Sequence, residues 1–182
     1  GTGAWSDRLI RHGFRDVTGI DLNQGQFQGG ARFVEGDLNS DFSQLVGGAK
    51  FELITAIEVI EHLENSSHFL RECAALLAPG GALVITTPNV ESMPARIKHF
   101  ASGRIRHFDA NGDKTHIAPI DSFLFRRLAA RAGLTVCDHV GLVRYWHDNR
   151  VWFRALSAVL APFLKGMPYG ACHLFRLQRT AR

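Results

Sequence analysis

The residues with the clearest potential for chemistry are two glutamates and a histidine in the run Glu58-Val59-Ile60-Glu61-His62. If a helical turn begins at Glu58, positions i, i+3 and i+4 share one face, so both carboxylates and the imidazole converge. That trio predicts half of a divalent-metal site, and its oxygen-rich ligation favours Mg²⁺ or Mn²⁺. The alternative is a structural role for the Glu-His pair in capping or loop hydrogen bonding.

A second histidine, His116, lies between a predicted strand over 82–87 and a predicted helix over 122–132. Histidine exchanges a proton near neutral pH more readily than other side chains, so His116 is a candidate general base for a hydroxyl nucleophile. His62 is the second candidate catalytic residue. A structural or exposed role for His116 is the alternative, because nine histidines are spread through the chain.

The first residues of the sequence form a candidate nucleotide site. Gly1-Thr2-Gly3 precedes a predicted helix over 4–12 and allows a ligand to approach the backbone and its amides. Asp21 follows about 20 residues later, at the end of a predicted strand, where an acidic side chain accepts hydrogen bonds from ribose hydroxyls. A dinucleotide fingerprint requires a third glycine at the position of Ser6, so NAD is disfavoured.

The candidate site residues must be positioned by strands and helices. The sequence predicts strands over 17–20, 32–35, 51–56, 82–87, 135–140 and 171–178, and further helices over 67–77 and 122–132, with Pro79-Gly80-Gly81 as a turn. This alternation predicts an α/β fold with a doubly wound, mostly parallel sheet, which binds ligands beyond the carboxyl ends of its strands. Because a glycine loop of this kind normally follows a strand, we expect a first strand to be missing upstream of Gly1.

The whole pattern resembles the class I S-adenosylmethionine-dependent methyltransferases, which share a Rossmann-like fold. Gly1-Thr2-Gly3 is similar to the end of their DxGxGxG loop, and Leu77-Ala78-Pro79-Gly80-Gly81 to their L-x-P-G-G turn. The segments 17–21, 35–38 and 51–58 resemble their intervening strands and strand ends. The resemblance implies S-adenosylmethionine as cofactor, with Asp21 on the ribose, Asp37 and Leu38 on the adenine, and Gly1 and Gly3 beside the methionine moiety. The full set of cofactor-binding candidates is Gly1, Gly3, Asp21, Leu22, Asp37, Leu38 and Glu58.

The E-x-x-E-H run resembles an element of two groups within this family. These are the ubiquinone-pathway O-methyltransferases and the small-RNA 3′-terminal 2′-O-methyltransferases, in which the element can ligate a divalent cation. The RNA group adds a downstream histidine, for which His116 is the candidate. The resemblance therefore implies a metal set of Glu58, Glu61, His62 and His116.

Two other segments bear on the methyl acceptor. Residues 93–114 are the most basic part of the chain and suit an anionic acceptor such as a nucleotide sugar, a phosphorylated glycan or RNA, or else form a solvated face. We expect a substrate-recognition insertion over 90–118. An apolar helix predicted over 150–165 is interpreted as core, as a cover for a lipid-like or sugar acceptor, as a partner contact or as a peripheral membrane contact.

Composition sets the remaining limits. The 182 residues predict a single domain over 1–182, and 46% hydrophobic residues exclude general disorder. Net charge is only +4, and three cysteines without CxxC spacing fit reduced thiols in the cytoplasm. The sequence contains no apolar run of the length of a membrane span.

We therefore expect O-methylation of a small-molecule or glycan acceptor. Metal-assisted 2′-O-methylation of RNA is the second hypothesis, although no aromatic RNA-recognition motif supports a nucleic-acid partner. A non-catalytic, methyltransferase-like binding protein is the third.

Overall fold

The structure is a computed structural model that describes residues 1–142, 155, 159 and 166–181. It divides into two compact units, residues 1–49 and residues 50–182. Nothing in this division tests the single-domain prediction or the predicted insertion over 90–118, and both stay predictions.

The first unit contains helix α1 (Ala4–Arg11) and two parallel strands, β1 (Thr18–Asp21) and β2 (Arg32–Glu35). Gly3 caps α1 with a backbone φ of +88°, a value that glycine adopts without steric cost. Two short 3₁₀ turns, Gln24–Gln26 and Phe42–Val46, complete the unit, and the second buries Phe42 and Val46. Asp21 and Glu35 are register partners, so β1 and β2 end side by side.

The second unit is built on a four-stranded sheet in the order β3-β4-β6-β5. Strands β3 (Phe51–Ile57) and β4 (Leu77–Pro88) are parallel, as a crossover through helix α2 (Ser66–Leu76) requires. Strand β6 (Cys172–Arg179) lies antiparallel between β4 and β5 (Leu134–Leu142). The remaining helices are α3 (Met93–Ser102) and α4 (Ser122–Arg131). The α/β prediction is confirmed.

The core of the second unit is formed by apolar side chains of its sheet. The inner positions of β4 and β6 carry Leu83, Ile85, Phe175 and Leu177, all fully buried. Phe125 of α4 stacks on Phe175 with ring centroids 4.2 Å apart, which ties this helix to the sheet. Helix α4 begins where predicted, because the Asp121 side chain accepts hydrogen bonds from the first free amides of the helix.

Two local predictions differ from the structure. The helical turn beginning at Glu58 is wrong: Glu58 has φ +52°, and only the 3₁₀ turn Ile60–His62 follows it. Strand β4 begins at Leu77 rather than at 82, and the predicted Pro-Gly-Gly turn is a bend inside it. A Cβ at Gly81 would lie 2.9 Å from the Phe51 carbonyl oxygen, so only glycine lets the two strands approach there.

The apolar helix predicted over 150–165 lies outside the described residues, apart from Ala155 and Val159, which are helical and exposed. Among the described residues, no helix combines the length and the apolar character needed to cross a bilayer. The cytoplasmic location stays a prediction.

Candidate active site

The cofactor candidates of the first unit gather at the end of β1. The Gly1 nitrogen donates a hydrogen bond to the Asp21 carboxylate, so the opening glycine loop lies beside the strand end. Partial burial acts to raise the pKa of Asp21, while hydrogen bonds from the backbone amides of Leu22 and Asn23 act to lower it. The Asp21 carboxylate, with its side chain 41% exposed, stands where the sequence predicts the ribose contact.

Gly3 is required for a second reason besides its backbone angle. A Cβ at this position would lie 2.8 Å from the Gly29 nitrogen and 2.9 Å from a ring carbon of Phe27. The loop between β1 and β2 therefore packs directly on the backbone of the glycine loop. Asp7 adds to this packing, because its carboxylate accepts a hydrogen bond from the Gly30 amide at 2.8 Å.

The geometry of the other predicted cofactor residues of this unit supports a cofactor contact less directly than that of Asp21. Asp37 follows β2, and its Oδ1 accepts hydrogen bonds from the backbone and side-chain nitrogens of Asn39, which leaves Oδ2 for a ligand. Leu38 is half-buried, whereas Leu22 is 65% exposed. Their contacts with a cofactor stay predictions.

Glu58 is not in the group of ligand atoms that the other three proposed metal ligands form within the described residues. Its amide donates to the Thr86 carbonyl and hydroxyl oxygens, which anchors the end of β3 against β4. Its side chain lies near Cys172, whose pKa is raised to about 11 by burial and by the negative charge of Glu58. The left-handed backbone at Glu58 ends the expected helical spacing. Among the described residues, the ligand atoms that lie together are those of Glu61, His62 and His116, so Glu58 as a metal ligand stays a prediction.

Glu61 is the most unusual side chain of the second unit. It is fully buried, and neither carboxylate oxygen makes a hydrogen bond of normal geometry within the described part of the chain. Burial, followed by the charge of Glu58, raises the pKa of Glu61 to about 7, although the backbone, Thr87 and His62 oppose this rise. A buried carboxylate without partners lacks the hydrogen bonds that normally offset its desolvation.

Three of the four predicted ligands do come together. Glu61, His62 and His116 each offer one ligand atom, and these atoms lie within 4.8 Å of one another. The segment that carries His116 is held there by the amides of Ile117 and Ala118, which both donate to the Glu61 carbonyl oxygen at 2.9 Å. A carboxylate with two imidazoles is a donor set that suits a transition-metal dication such as Mn²⁺ or Fe²⁺ better than Mg²⁺, which prefers oxygen ligands.

The hydrogen bonds of both histidines engage the same ring nitrogen. His116 Nδ1 lies 3.1 Å from the His107 carbonyl oxygen, and His62 Nδ1 lies 3.2 Å from the Thr115 carbonyl oxygen. A carbonyl oxygen only accepts, so each Nδ1 carries the proton and each neutral ring keeps the lone pair on Nε2. That lone pair suits either proton abstraction or metal ligation.

A cavity of about 420 Å³ lies against His116. Its walls combine apolar and polar surface. The apolar part comes from Ile105, Phe108, Ile117 and Pro119, and Arg104 and Asp109 bring charged groups to the same cavity. Phe108 also contacts the His116 ring, with centroids 5.3 Å apart. The imidazole therefore faces a space that can hold a ring-sized molecule.

The basic segment is less available to an anionic partner than its composition predicts. Lys98 pairs with Asp109 at 2.5 Å, and Arg106 Nε donates to His107 Nε2 at 3.2 Å. Arg96 Nε donates to the Glu91 carbonyl oxygen at 2.6 Å. Several of the cations thus hold the loop together.

Sequence reasoning missed His107, Asp113 and Thr115 as residues that support the site. His107 has φ +71°, and its carbonyl orients His116. The Thr115 hydroxyl lies 2.9 Å from His62 Nδ1 and donates to Asp113 at 2.6 Å. No pattern in the sequence indicates these roles, because they depend on the path of an irregular loop.

Comparison with known proteins agrees with this geometry. A family model described as a methyltransferase domain matches residues 1–139. A "Ubiquinone biosynthesis O-methyltransferase" from Caulobacter sp. (strain K31) is 33% identical over 97 residues, which cover 49% of this chain and 38% of that protein. The protein with the same name from Psychrobacter arcticus is 25% identical over 178 residues, covering 89% of this chain and 69% of that protein.

Solved structures agree on the fold. A SAM-dependent methyltransferase from Archaeoglobus fulgidus superimposes with a TM-score of 0.70 at 13% identity, covering 98% of this chain and 82% of that one. This similarity confirms the Rossmann-like fold predicted from the sequence.

Proposed function

The chain belongs to the class I S-adenosylmethionine-dependent methyltransferases, and we propose that it transfers the methyl group to a hydroxyl oxygen of a small, ring-containing molecule. Support for an oxygen acceptor comes from the two curated relatives, both named as O-methyltransferases. The family assignment favours an enzyme over the non-catalytic alternative.

The first unit carries the residues that fit the cofactor. A carboxylate at a strand end suits the vicinal hydroxyls of a ribose, and Asp21 ends strand β1. When bound, S-adenosylmethionine supplies a methyl group activated by its positively charged sulfur. We assign Asp21 to the ribose, Asp37 and Leu38 to the adenine, and the Gly1–Gly3 loop to the methionine moiety. Leu22 and Glu58 remain additional candidates.

The observation that carries the proposal is His116 at the wall of the 420 Å³ cavity, with Nδ1 committed to the His107 carbonyl. Nε2 is then free to take the proton of an acceptor hydroxyl as the new O–CH₃ bond forms and the S–CH₃ bond breaks. The proton stays on the imidazolium until it is lost to solvent.

The cavity walls favour a ring over a sugar. Ile105, Phe108, Ile117 and Pro119 offer apolar surface against which an aromatic ring can pack, and Arg104, Asp109 and His116 offer polar groups for its oxygens. A phenol or catechol buries its ring and presents one or two oxygens. We therefore place phenolic acceptors ahead of glycans.

Metal assistance is a second candidate, favoured by the unpartnered oxygens of Glu61. Glu61, His62 and His116 would hold a divalent cation, which would supply Lewis-acid polarisation of an acceptor oxygen. In that case a ring nitrogen of His116 is a ligand rather than a base. The RNA hypothesis requires Glu58 in the same cluster, whereas the ligand atoms that lie together within the described residues come from Glu61, His62 and His116.

The test is transfer of a labelled methyl group by the full-length protein to pools of phenols, oligosaccharides and short RNAs. We expect labelling of phenols, a fall in kcat of about 10²-fold or more for His116→Asn, and no such fall for His12→Asn, which changes an exposed histidine of the first unit. Labelling of RNA or sugars alone, or full activity of His116→Asn, would reject this assignment.

A further inference from the structure

A short chain of polar groups extends from the site to the surface. His62 Nδ1 contacts the Thr115 hydroxyl at 2.9 Å and the Thr115 carbonyl oxygen at 3.2 Å. The same hydroxyl lies 2.6 Å from Oδ1 of Asp113, which also accepts the Thr115 amide at 2.9 Å. Thr115 and Asp113 are both exposed, whereas His62 is half-buried.

The direction of each hydrogen bond follows from what each group can donate. An exposed carboxylate is ionised at neutral pH and only accepts, so the single Thr115 hydroxyl proton points to Asp113. The hydroxyl oxygen then faces His62 with a lone pair and requires a proton on Nδ1. The Thr115 carbonyl imposes the same requirement, so in the neutral ring the proton is on Nδ1 and the lone pair is on Nε2.

We propose that Thr115 and Asp113 are positioning residues that hold His62 in the Nδ1-protonated tautomer, with the Nε2 lone pair available to the Glu61–His116 cluster. This inference rests on the proposed function, since it concerns what prepares His62 for that site. Neither residue touches the reacting atoms; both act through the His62 ring.

The competing explanation is that Asp113 and Thr115 only stabilise their own turn. A side chain that accepts the amide two residues later is a common local motif, and it needs no distant histidine. The two explanations differ at His62 alone, so the state of that ring decides between them.

The direct measurement is the tautomer of His62 in the full-length, metal-free protein, read from long-range proton–nitrogen NMR correlations of ¹⁵N-histidine-labelled samples. We expect mainly Nδ1–H in the wild type. Asp113→Ala frees the Thr115 hydroxyl to donate toward His62, and Thr115→Val removes it. Each variant should lower the ratio of Nδ1–H to Nε2–H by about two- to tenfold, the equivalent of one hydrogen bond.

Two control variants test whether a change in the His62 tautomer comes from the Thr115 hydroxyl. Thr115→Ser restores the hydroxyl and should restore the wild-type ratio. Thr135→Val makes the same substitution at an exposed strand position, where the hydroxyl contacts Thr180 instead of a histidine, and should leave His62 unchanged. An unchanged His62 tautomer in folded Thr115→Val and Asp113→Ala overturns the proposal.

Activity provides a second, separable readout. On an acceptor that the wild type methylates, Thr115→Val should lower kcat with KM within about twofold, and Thr115→Ser should recover kcat. If the wild type methylates none of the acceptors, the proposed function fails, while the NMR measurement still decides whether these residues set the His62 tautomer.

Discussion

The imidazole rings of His62 and His116 meet edge to face, with centroids 4.7 Å apart and planes inclined by 71°. One ring ends the turn after β3, and the other belongs to the loop before α4. The main chain of Glu61 joins these segments by accepting the amides of Ile117 and Ala118. Replacing the Glu61 side chain should therefore change the chemistry of the cluster while leaving its backbone anchor in place.

Metal binding tests which glutamate belongs to the site. We expect Mn²⁺, followed by calorimetry or electron paramagnetic resonance, to bind Glu61→Gln at least about tenfold more weakly than the wild type, because the buried carboxylate is lost. Glu58→Gln is the comparison and should lower the affinity less than Glu61→Gln, since Glu58 acts on Glu61 through its charge and is not in the group of ligand atoms within the described residues. Equal losses in both variants would support the four-ligand set predicted from the sequence.

Gly112 packs against the His107 carbonyl group, which accepts the hydrogen bond that orients His116. A Cβ at Gly112 would lie 2.4 Å from the His107 carbonyl oxygen and 2.7 Å from its carbon, so Gly112→Ala must displace that backbone. We expect a loss of about 1 to 3 kcal/mol in unfolding free energy, as for overpacking, and a fall in methyl transfer that exceeds any effect of stability at the assay temperature.

Gly103→Ala is the control for this substitution. Gly103 has φ +66° with open space around it, so alanine there costs only backbone strain of about 1 kcal/mol. Thermal unfolding and kcat should separate the two variants, with activity retained in Gly103→Ala. Comparable kcat losses in both would show that the His107 carbonyl has no special role.

The sequence predicts the parts of this site that depend on local spacing. Glu61 and His62 are adjacent, and a strand-terminal position for Asp21 follows from the hydrophobic run before it. The helical turn predicted to begin at Glu58 is wrong because Glu58 has a left-handed backbone conformation, which no pattern in the sequence indicates. The roles of Thr115 and His107 depend on the path of an irregular loop, which has no periodicity to read.

The pair formed by the buried His173 and the half-buried His139 predicts acid sensitivity of the second unit. His173 is fully buried, and its Nδ1 lies 2.9 Å from His139 Nε2. Burial, and then the charge of His139, lower the pKa of His173, although Glu91 and Asp121 oppose this change. Below pH 6.5 the unfolded chain therefore takes up a proton that the folded chain resists.

Stability should therefore be complete above pH 6.5 and decline as the pH falls below it, by up to about 1.4 kcal/mol per pH unit from this group. Chemical denaturation at pH 7.5, 6.0 and 5.0 should show a shallower decline for His173→Phe than for the wild type. His12→Phe, at an exposed position of the first unit, should keep the wild-type slope. An unchanged slope in His173→Phe would mean that other groups set the acid sensitivity.

The glycine loop offers a matched pair of substitutions that separates backbone strain from packing. Gly3 and Gly13 have φ values of +88° and +97°, so alanine costs backbone strain at both. Only at Gly3 does the added Cβ meet other atoms, the Gly29 backbone and the Phe27 ring, within 3 Å. Gly3→Ala should therefore displace the loop assigned to the methionine moiety and weaken S-adenosylmethionine binding about tenfold or more in calorimetry. Gly13→Ala should bind like the wild type, and weakening of the same size in both variants would remove the loop from the cofactor site.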